Sequence, residues 1–509
     1  VLFRSVAGCA HKVPRAHVPA GSSAGGLRSG LVATVDEVVR SEMSRNRITG
    51  LAVGLVTDRG LVWGAGYGVT DRKTDTPVTV DTRFPVASIT KPLTATALLL
   101  LEQEGRVSLD DPVSVHLPGF SPSVSGPAGA GAHPAPHRDI TIRHCRFTDA
   151  GASGMRMDGM AVNNRVERCD FTRLGGSGIS ILGNEPGQLD SSHHNRIQGN
   201  HILDTGTLWW QASGIFVHQS GSNEITNNYL HDLPYGGIAL VSGREGAFGT
   251  KPGNDGNNGR IVRDDAFGES PFEWQYTIGH LACRHNRIAF NEVHDVMQWM
   301  GDGNAIYISG TGWGNLIESN YVHDIGGGVH SAIRTDDMQW YTRIERNVVC
   351  RCHGAGITLK HVNDITDNVV VDCRRMGLLN IRRGLSWGAN VVRNILVMPE
   401  VPGWLAEVPQ PFFADGGMGG RLEELNLDDT LVWCSDDPGH AEACVAAVQE
   451  RGLLPNACVA DPRFVDPDHD DFRLHADSPA YALGICSLDA WGLQTATGAD
   501  IDSSMEEKK

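Results

Sequence analysis

A repeating pattern of apolar and polar positions dominates the chain from residue 164 onwards. Its core is Asn-x-Ile-x-x-Asn, followed by a short apolar run, a Gly-rich stretch and a second apolar run of the type Gly-Ile-x-Val. Copies begin at Asn164, Asn195, Asn223, Asn286, Asn315, Thr342, Asn363 and Ala389. Successive copies lie 21 to 31 residues apart, except for one spacing of 63 that contains an insertion. Repeats of this length are typical of a β-solenoid, in which each coil pairs only with its neighbours.

This repeat predicts two rows of stacked side chains. The central isoleucines should point inward: Ile197, Ile225, Ile288, Ile317, Ile344 and Ile365. The asparagines that end the copies should form a ladder at one corner: Asn200, Asn228, Asn291, Asn320, Asn347, Asn368 and Asn394. Stacked amides can satisfy one another and the turn backbone. We therefore predict a mainly β fold, a right-handed single-stranded parallel β-helix. A leucine-rich repeat is rejected because the sequence lacks its Leu-x-x-Leu-x-Leu spacing.

The first part of the chain carries a different pattern. Residues 51–70 predict two strands joined by a polar turn, and the segment Ser88 to Lys91 opens a helical run. Ser-x-x-Lys at a helix start places a hydroxyl and an ammonium on one face, where the ammonium eases deprotonation of the hydroxyl. With its flanks, RFPVASITKPLTATALLLLEQEGRVSLDDPVSVHLPGF resembles the serine β-lactamase, penicillin-binding and esterase superfamily of class C type. The resemblance implies that Ser88 is the acylated nucleophile and Lys91 its activating partner.

That family also needs a Tyr-x-Asn element and a Lys- or His-x-Gly strand. Neither occurs in a fitting context between residues 145 and 509. We therefore expect the segment around Ser88 to be a vestigial and inactive α+β fragment. The resemblance gives way to the repeat near Ile140–His144, and we interpret the chain as a chimera of two truncated parts.

The predicted organisation has five parts, listed in chain order. They are a disordered or truncated leader (1–29), a partial β-lactamase-like segment (30–136), the β-helix (137–400), C-terminal coils and a cap (401–492) and a disordered tail (493–509). Within the C-terminal part, residues 440–452 predict a helix.

Net charge, apolar runs and a short N-terminal motif limit the classes of partner and the cellular location that we expect. The formal net charge of −17 argues against non-specific binding to nucleic acid or to an anionic membrane. No apolar run is long enough to span a bilayer. Val6–Cys9 resembles the end of a bacterial lipoprotein signal. We therefore expect an extracellular or periplasmic protein, with a lipid anchor as an option. We also expect a monomer. The cluster of Cys434, Cys444 and Cys458 is compatible with one disulfide.

The repeat region resembles the right-handed β-helix superfamily and is most similar to members of glycoside hydrolase family 141. The resemblance rests on residues 302–307, DGNAIY, and residues 332–337, AIRTDD. The first motif departs from the family's usual Asp-Gly-Gly-Gly-Ile-Tyr. The resemblance implies an enzyme that cleaves glycans of the xylan or fucoside type.

Aligning the second strand of successive coils gives two outward columns. One holds Phe216, Ala239, Tyr307, Arg334, Thr358 and Leu379, and the other His218, Val241, Ser309, Asp336, Lys360 and Ile381. Neighbouring coils lie about 4.8 Å apart. We therefore expect one polar patch lining a sugar-binding cleft, with Tyr307, Arg334, Asp337, Lys360 and His218 as substrate-binding residues.

Asp302 and Asp336 are the predicted catalytic carboxylates. Two carboxylates that flank a glycosidic bond can act as acid and nucleophile, or as acid and base. Asp302 lies in the turn before the Tyr307 strand, one coil below Asp336. Lys360 should keep Asp336 ionised, which leaves Asp302 as the acid. Each aspartate alone could instead be a turn residue that bonds its own backbone.

Histidines and tryptophans are further candidates. His231, His294 and His323 are each followed by aspartate at one corner, which favours a structural role over a metal-binding or catalytic row. Of these, we expect His294 and His323 to face the cleft. Trp299 and Trp340 lie in loops, where their rings could stack on sugars. We predict no metal site.

Three functions remain open. A glycoside hydrolase would use the two aspartates on a polysaccharide or oligosaccharide and would need no cofactor. A polysaccharide lyase would use Lys360, Arg334 or Arg383 to remove the proton next to a uronate carboxylate, usually with calcium nearby. The third option is a non-catalytic β-helix that binds glycan or forms a surface structure.

Overall fold

The structure is a computed structural model of the 509-residue chain. It describes residues 2–5, 29–45, 48–57, 60–71, 75–82, 84, 90–109, 111, 137–184, 190–243, 278–326, 331–373, 379–382, 388–399, 412–415 and 421–488. The chain divides into two compact units, the first ending at Ala135 and the second beginning at Pro136. No helix in these ranges is long and apolar enough to cross a membrane.

The first unit is a small antiparallel sheet with two helices. Its strands are Leu2–Ser5, Gly50–Thr57, Gly60–Asp71 and Thr76–Pro77, and its helices are α1 (Ser29–Arg45) and α2 (Thr90–Gln103). Met43 of α1 packs in a core with Leu51, Trp63 and Tyr67. The two strands predicted within residues 51–70 are present. Ser88 lies outside the described residues, whereas Lys91 lies in the first turn of α2.

The second unit consists of three parallel sheets that the chain visits in turn, once per coil. Sheet 1 contains Thr141–Arg143, Arg165–Glu167, Arg196–Gln198, Glu224–Thr226, Arg287–Ala289, Leu316–Glu318, Arg343–Glu345, Asp364–Thr366, Ala389–Val392 and Leu425–Asp428. Sheet 2 contains Arg146–Ala150, Asp170–Leu174, His201–Thr205, Tyr229–His231, Glu292–His294, Tyr321–His323, Val348–Cys350, Val369–Val371, Ile395–Met398, Leu431–Cys434 and Cys458–Val459. Sheet 3 contains Met155–Asp158, Ile179–Leu182, Ile215–His218, Ile238–Val241, Ile306–Ser309, Ile333–Thr335, Ile357–Lys360, Leu379–Arg382 and Phe413–Asp415. This is the right-handed single-stranded parallel β-helix that the repeat predicts.

Alternation along each short strand builds the interior. The six isoleucines expected to stack inside sheet 1 are all fully buried. In sheet 3, Ile215, Ile238, Ile306, Ile333 and Ile357 pair in register from coil to coil. Each inward side chain therefore rests on its equivalent in the neighbouring coil, which gives one continuous apolar core.

The predicted asparagine ladder lies at the turn between sheets 1 and 2. From Asn200 to Asn368, each side-chain amide donates to the next asparagine's oxygen at 2.9–3.1 Å. Each amide of the ladder also donates to a strand carbonyl of the preceding coil at 2.9–3.0 Å. The buried corner is thus fully hydrogen-bonded.

A second ladder lies where the chain enters sheet 1. It consists of the asparagines that begin the copies: Asn164, Asn195, Asn223, Asn286 and Asn315. Their amides bond the next oxygen at 2.8–3.1 Å. Both asparagines of Asn-x-Ile-x-x-Asn therefore have the same structural role, although the sequence analysis predicts a ladder for the second one alone.

The C-terminal part covers two apolar surfaces of the β-helix. Helix α3 (Pro438–Gln449) buries Ala441, Cys444, Val445 and Val448 against the core, close to the predicted helix. An antiparallel hairpin of Phe464–Asp466 and Asp471–Leu474 then packs on the outer face of sheet 2. The short strands beneath it are apolar on both faces for this reason.

The remaining elements are short. Strands His137–Arg138 and Ala161–Val162 pair in parallel, and single 3-10 turns lie at Ile278–His280, Leu422–Glu424, Pro467–His469 and Pro479–Leu483. Cys434, Cys444 and Cys458 are free thiols, so the disulfide considered from the sequence does not form. The predicted alignment of the outward columns of sheet 3 is wrong in one coil, because Thr358 pairs with Asn380 and Lys360 with Arg382. Leu379 and Ile381 were therefore placed one residue out of register.

Candidate functional site

A cluster of charged side chains lies at the downstream end of sheet 3. Tyr307 and Arg334 are register partners in adjacent strands, and Asp336 directly follows the second of these strands. Its backbone N–H still donates to Ile308 O at 2.8 Å, so the parallel pairing continues to this residue. Lys360 ends the strand of the next coil. The repeat therefore brings side chains that are up to 53 positions apart onto one outward surface.

Asp336 is the centre of this cluster. Its carboxylate accepts a hydrogen bond of 2.8 Å from the Tyr307 hydroxyl and one of 3.0 Å from Arg334 Nη2. Lys360 Nζ contacts Asp336 Oδ1 and also bonds Asp337 Oδ1 at 2.9 Å. The structure thus brings together Tyr307, Arg334, Asp336, Asp337 and Lys360, as the alignment of the strands predicts.

The charged side chains of this cluster are buried, which strengthens the interactions between them. The side chains of Lys360, Arg334 and Asp336 are 5%, 8% and 12% exposed. Burial alone would raise the pKa of Asp336. The nearby charges of Arg334 and Lys360, together with the hydrogen bonds from Lys360 and Tyr307, hold that pKa well below its usual range instead. Asp336 is therefore a carboxylate that stays ionised at any physiological pH.

Asp302 lies outside sheet 3, in the connection that leads into the Ile306–Ser309 strand. It is exposed and stands four residues before Ile306, whereas Asp336 stands three residues after Ile333. Because Ile306 pairs with Ile333, the two aspartates lie at opposite ends of the strands. Three strand residues span about 10 Å. Asp302 can approach a bond held at Asp336 only if its connection folds back over the sheet, so the paired mechanism stays a prediction.

Two further predicted residues lie on sheet 3 or at its end. His218 occupies the same outward column as Val241 and Ser309, and burial lowers its pKa to about 4. Its Nε2 has no hydrogen-bond partner among the described residues. Trp340 lies in the turn that follows Asp336 and stacks on His361 with ring centroids 4.8 Å apart. His361, directly after Lys360, was not identified from the sequence.

Three predicted residues do not lie in this cluster. His294 and His323 are on sheet 2, so the expectation that they face the same cleft as Asp336 is wrong. Each histidine ends its sheet 2 strand, directly before the aspartate with which it pairs. Trp299 lies in the connection from sheet 2 to sheet 3, where it is exposed and meets Trp210 edge to face at 6.4 Å. This pair stands at the same end of sheet 3 as Asp302.

The first coil contains an exposed copy of the central pair. Arg156 and Asp158 occupy the two outward columns and bond each other at 2.7 Å. Both side chains are more than half exposed, at 61% and 56%. The Arg-x-Asp pair therefore occurs in two coils of sheet 3, and what distinguishes the Asp336 copy is burial together with Tyr307 and Lys360.

An aromatic cavity adjoins the downstream end of sheet 3. It has a volume of about 380 Å³ and lies at the turns that lead into sheet 1, lined by residues that include Trp313, Tyr341, Arg343 and Asp364. Arg284 packs over the Trp313 ring at 5.4 Å. Aromatic rings with neighbouring charged groups are suited to contacts with the faces and hydroxyls of sugars.

Two family models match the chain. Residues 35–159 match the model described as Beta-lactamase, and residues 123–248 match the model described as Right handed beta helix region. Both matches include the segment around residues 140–144, where the two sequence resemblances meet. The β-lactamase-like and β-helix assignments made from the motifs are confirmed.

Similar proteins match parts of the chain. Protein flp of Staphylococcus aureus (strain N315) is 26% identical over 204 residues, which cover 39% of this chain and 36% of that protein. Esterase EstB of Burkholderia gladioli is 30% identical over 149 residues, which cover 28% of this chain and 36% of the esterase. The chain thus spans about a third of the length of these curated relatives, 36% in each case.

Two solved structures match parts of the chain at low similarity. A chain described as a glycoside hydrolase is 19% identical, with a TM-score of 0.33 over 53% of this chain and 38% of that one. A complex of XylC with xylose is 11% identical, with a TM-score of 0.29 over 57% of this chain and 56% of that one. The chain as a whole combines a β-lactamase-like segment with a right-handed parallel β-helix that follows it.

Proposed function

We propose that the β-helix unit is a glycoside hydrolase whose substrate lies across the outer face of sheet 3. The observation that carries this proposal is the state of Asp336, a buried carboxylate kept ionised by two cations and a tyrosine hydroxyl. An ionised carboxylate held in a fixed orientation suits a nucleophile that attacks an anomeric carbon, or a base that activates water.

Tyr307, Arg334 and Lys360 have distinct roles in this proposal. Tyr307 and Arg334 fix the orientation of the Asp336 carboxylate. Lys360 bridges Asp336 and Asp337 and so supports the charge at one end of the cleft. Its own side chain is buried, whereas Asp337 is 31% exposed and can meet sugar hydroxyls. As the glycosidic bond breaks, positive charge develops on the sugar, and the exposed edge of the Asp336 carboxylate would stabilise it.

The acid that protonates the leaving group is proposed to be Asp302. It is exposed, so it can meet a glycan directly, and it lies in the connection that also carries Trp299. A glycan that crosses sheet 3 would meet Trp210 and Trp299 at one end and Trp340 at the other. Which stereochemical outcome results depends on the distance between the two carboxylates in the complex.

A lyase is a weaker alternative. Its base must be neutral in order to take a proton, but Lys360 donates to two carboxylates. The Arg334 guanidinium is committed to a hydrogen bond with Asp336. Arg383 lies outside the described residues. A purely structural β-helix would retain the ion pairs but would cleave no glycan. A screen for glycan cleavage therefore separates it from a hydrolase.

The β-lactamase-like unit is proposed to be inactive. The motif Ser88-x-x-Lys91 is present in the sequence, but the Tyr-x-Asn and Lys- or His-x-Gly elements that would complete its site are not found between residues 145 and 509. A serine without its second base and oxyanion strand cannot complete acyl transfer.

The experiment is a screen of the full chain against plant and bacterial polysaccharides and oligosaccharides. A hydrolase releases new reducing ends without an unsaturated product, whereas a lyase releases an unsaturated uronate that absorbs in the ultraviolet. The proposal expects the first outcome with at least one glycan, and expects it without added calcium. Glycan binding without cleavage across the panel would contradict it and favour the non-catalytic alternative.

A further inference from the structure

A row of stacked imidazoles lies on the outer face of sheet 2, away from the Asp336 cluster. His231, His294 and His323 occupy one column in three successive coils. Their ring centroids lie 5.0 Å and 4.7 Å apart, with interplanar angles of 4° and 13°. Glu292 stands two residues before His294 on the same strand and therefore on the same face. The side chains of Glu292, His294 and His323 are only 16%, 15% and 11% exposed.

Three of these side chains converge. One ligand atom each of Glu292, His294 and His323 lies within 4.8 Å of the other two. His323 Nε2 is 3.4 Å from Glu292 Oε1, and His294 Nε2 bonds the Tyr229 hydroxyl at 2.9 Å, a contact that a bound ion would replace. Two ligands at about 2.1 Å from one zinc ion are at most about 4.2 Å apart. Small rotations of the two rings would therefore close the site.

The second nitrogen of each imidazole is already held by a carboxylate. His294 Nδ1 pairs with Asp295 Oδ2 at 2.9 Å, and His323 Nδ1 with Asp324 Oδ2 at 2.7 Å. Metal-binding histidines characteristically donate this second N–H to a carboxylate, which fixes the tautomer and leaves Nε2 for the ion. Arg351 in turn holds Asp324 through bonds of 2.9 and 2.8 Å.

The coil that contains His231 shows which feature is specific to the cluster of Glu292, His294 and His323. His231 has the same aspartate partner, Asp232 at 2.9 Å, but its strand carries Tyr229 in register with Glu292. The His-Asp pair therefore recurs as part of the turn, and the carboxylate of Glu292 is the addition. A carboxylate this shielded needs a compensating cation. Within the described part of the chain, its one ion-pair partner is His323.

We propose that Glu292, His294 and His323 bind one divalent transition-metal ion of the zinc class, through a carboxylate oxygen and two Nε2 atoms. Two imidazoles and one carboxylate favour Zn²⁺ and chemically similar ions, whereas Ca²⁺ and Mg²⁺ prefer oxygen ligands alone. Three protein ligands leave a coordination position for water or for a further ligand. This site departs from the structural role predicted for the histidine row, and it does not depend on the proposed hydrolase.

The test is titration of the chelator-treated full chain with Zn²⁺, followed by Co²⁺ as a spectroscopic probe and Ca²⁺ as a hard cation. We expect one Zn²⁺ ion per chain, a visible Co²⁺ spectrum typical of nitrogen and oxygen ligands, and no competition from Ca²⁺. Glu292→Gln and His323→Ala should abolish both signals. Asp324→Asn should weaken Zn²⁺ binding by about 10–100-fold, because it only positions His323.

A matched control is His469→Ala. His469 also pairs with an aspartate, Asp466 at 2.9 Å, but its side chain is 82% exposed and forms no part of the cluster. It should bind Zn²⁺ as the unchanged chain does. Circular dichroism shows whether each variant is folded, and Glu292→Gln is the variant least able to disturb the coil. The proposal is wrong if the unchanged chain binds no Zn²⁺, or if folded Glu292→Gln and His323→Ala bind it equally well.

Discussion

The Tyr307 hydroxyl donates a hydrogen bond of 2.8 Å to Asp336 in the next coil of the β-helix. The two residues are 29 positions apart and stand in adjacent outward columns of sheet 3. Arg334 and Lys360 complete the contacts of the same carboxylate. A local repeat thus builds a charged centre from three coils, and the consequences for stability and activity can be measured separately.

Lys360→Met should destabilise the β-helix unit. The substitution leaves Asp336 buried with Arg334 as its one remaining cation partner among the described residues, and breaking a buried ion pair costs up to about 3–5 kcal/mol. Urea unfolding at neutral pH measures the change in the free energy of unfolding. Arg156→Met, in the exposed copy of the pair, is the control and should change little. Equal effects of the two substitutions would show that burial of the cluster contributes nothing.

The contribution of Asp336 to stability should depend on pH in one direction. Its pKa is lowered in the folded chain, so the stabilisation is present above the unfolded pKa of about 3.9. It is lost as the pH falls further, through the folded pKa. The free energy of unfolding of the unchanged chain should therefore exceed that of Asp336→Asn by a constant amount near pH 7 and by less below pH ~4. A difference that grows on acidification would contradict the lowered pKa.

Asn291→Ala should weaken the β-helix through its ladder. The Asn291 amide donates to Ile225 O and to Asn320 Oδ1, both at 2.9 Å, and its oxygen accepts two bonds from Asn228. Each buried polar group left without a partner costs about 1–3 kcal/mol. Denaturant unfolding should show a loss of that size or larger. Asn426→Ala, which removes an exposed amide bond to Asn390, should be nearly neutral, and a comparable loss there would contradict the ladder account.

Ser88 should not react with acylating reagents. Incubation of the full chain with nitrocefin, a p-nitrophenyl ester and a fluorescent penicillin is expected to give no turnover and no stoichiometric labelling, because the sequence elements that complete the site are not found. Labelling that disappears in Ser88→Ala would show that the first unit is an active hydrolase.

The sequence predicted the solenoid well because its repeat imposes identical local geometry in every coil. The inward isoleucines, the ladder from Asn200 to Asn394 and the grouping of Tyr307 with Arg334, Asp336 and Lys360 all follow from that repeat. The position of Asp302 could not be predicted, because a turn between sheets has no fixed direction. His294 and His323 were misplaced since the motif does not show which of three outer faces each strand presents.

The central claim is that Asp336 is the essential carboxylate of a glycoside hydrolase, and one comparison tests it most directly. On a glycan that the unchanged chain cleaves, kcat/KM should fall by several orders of magnitude in Asp336→Asn. It should be nearly unchanged in Asp158→Asn, which alters the same outward column of sheet 3 in the exposed first coil. Circular dichroism must show that both variants are folded. Near-normal hydrolysis by folded Asp336→Asn would contradict the account.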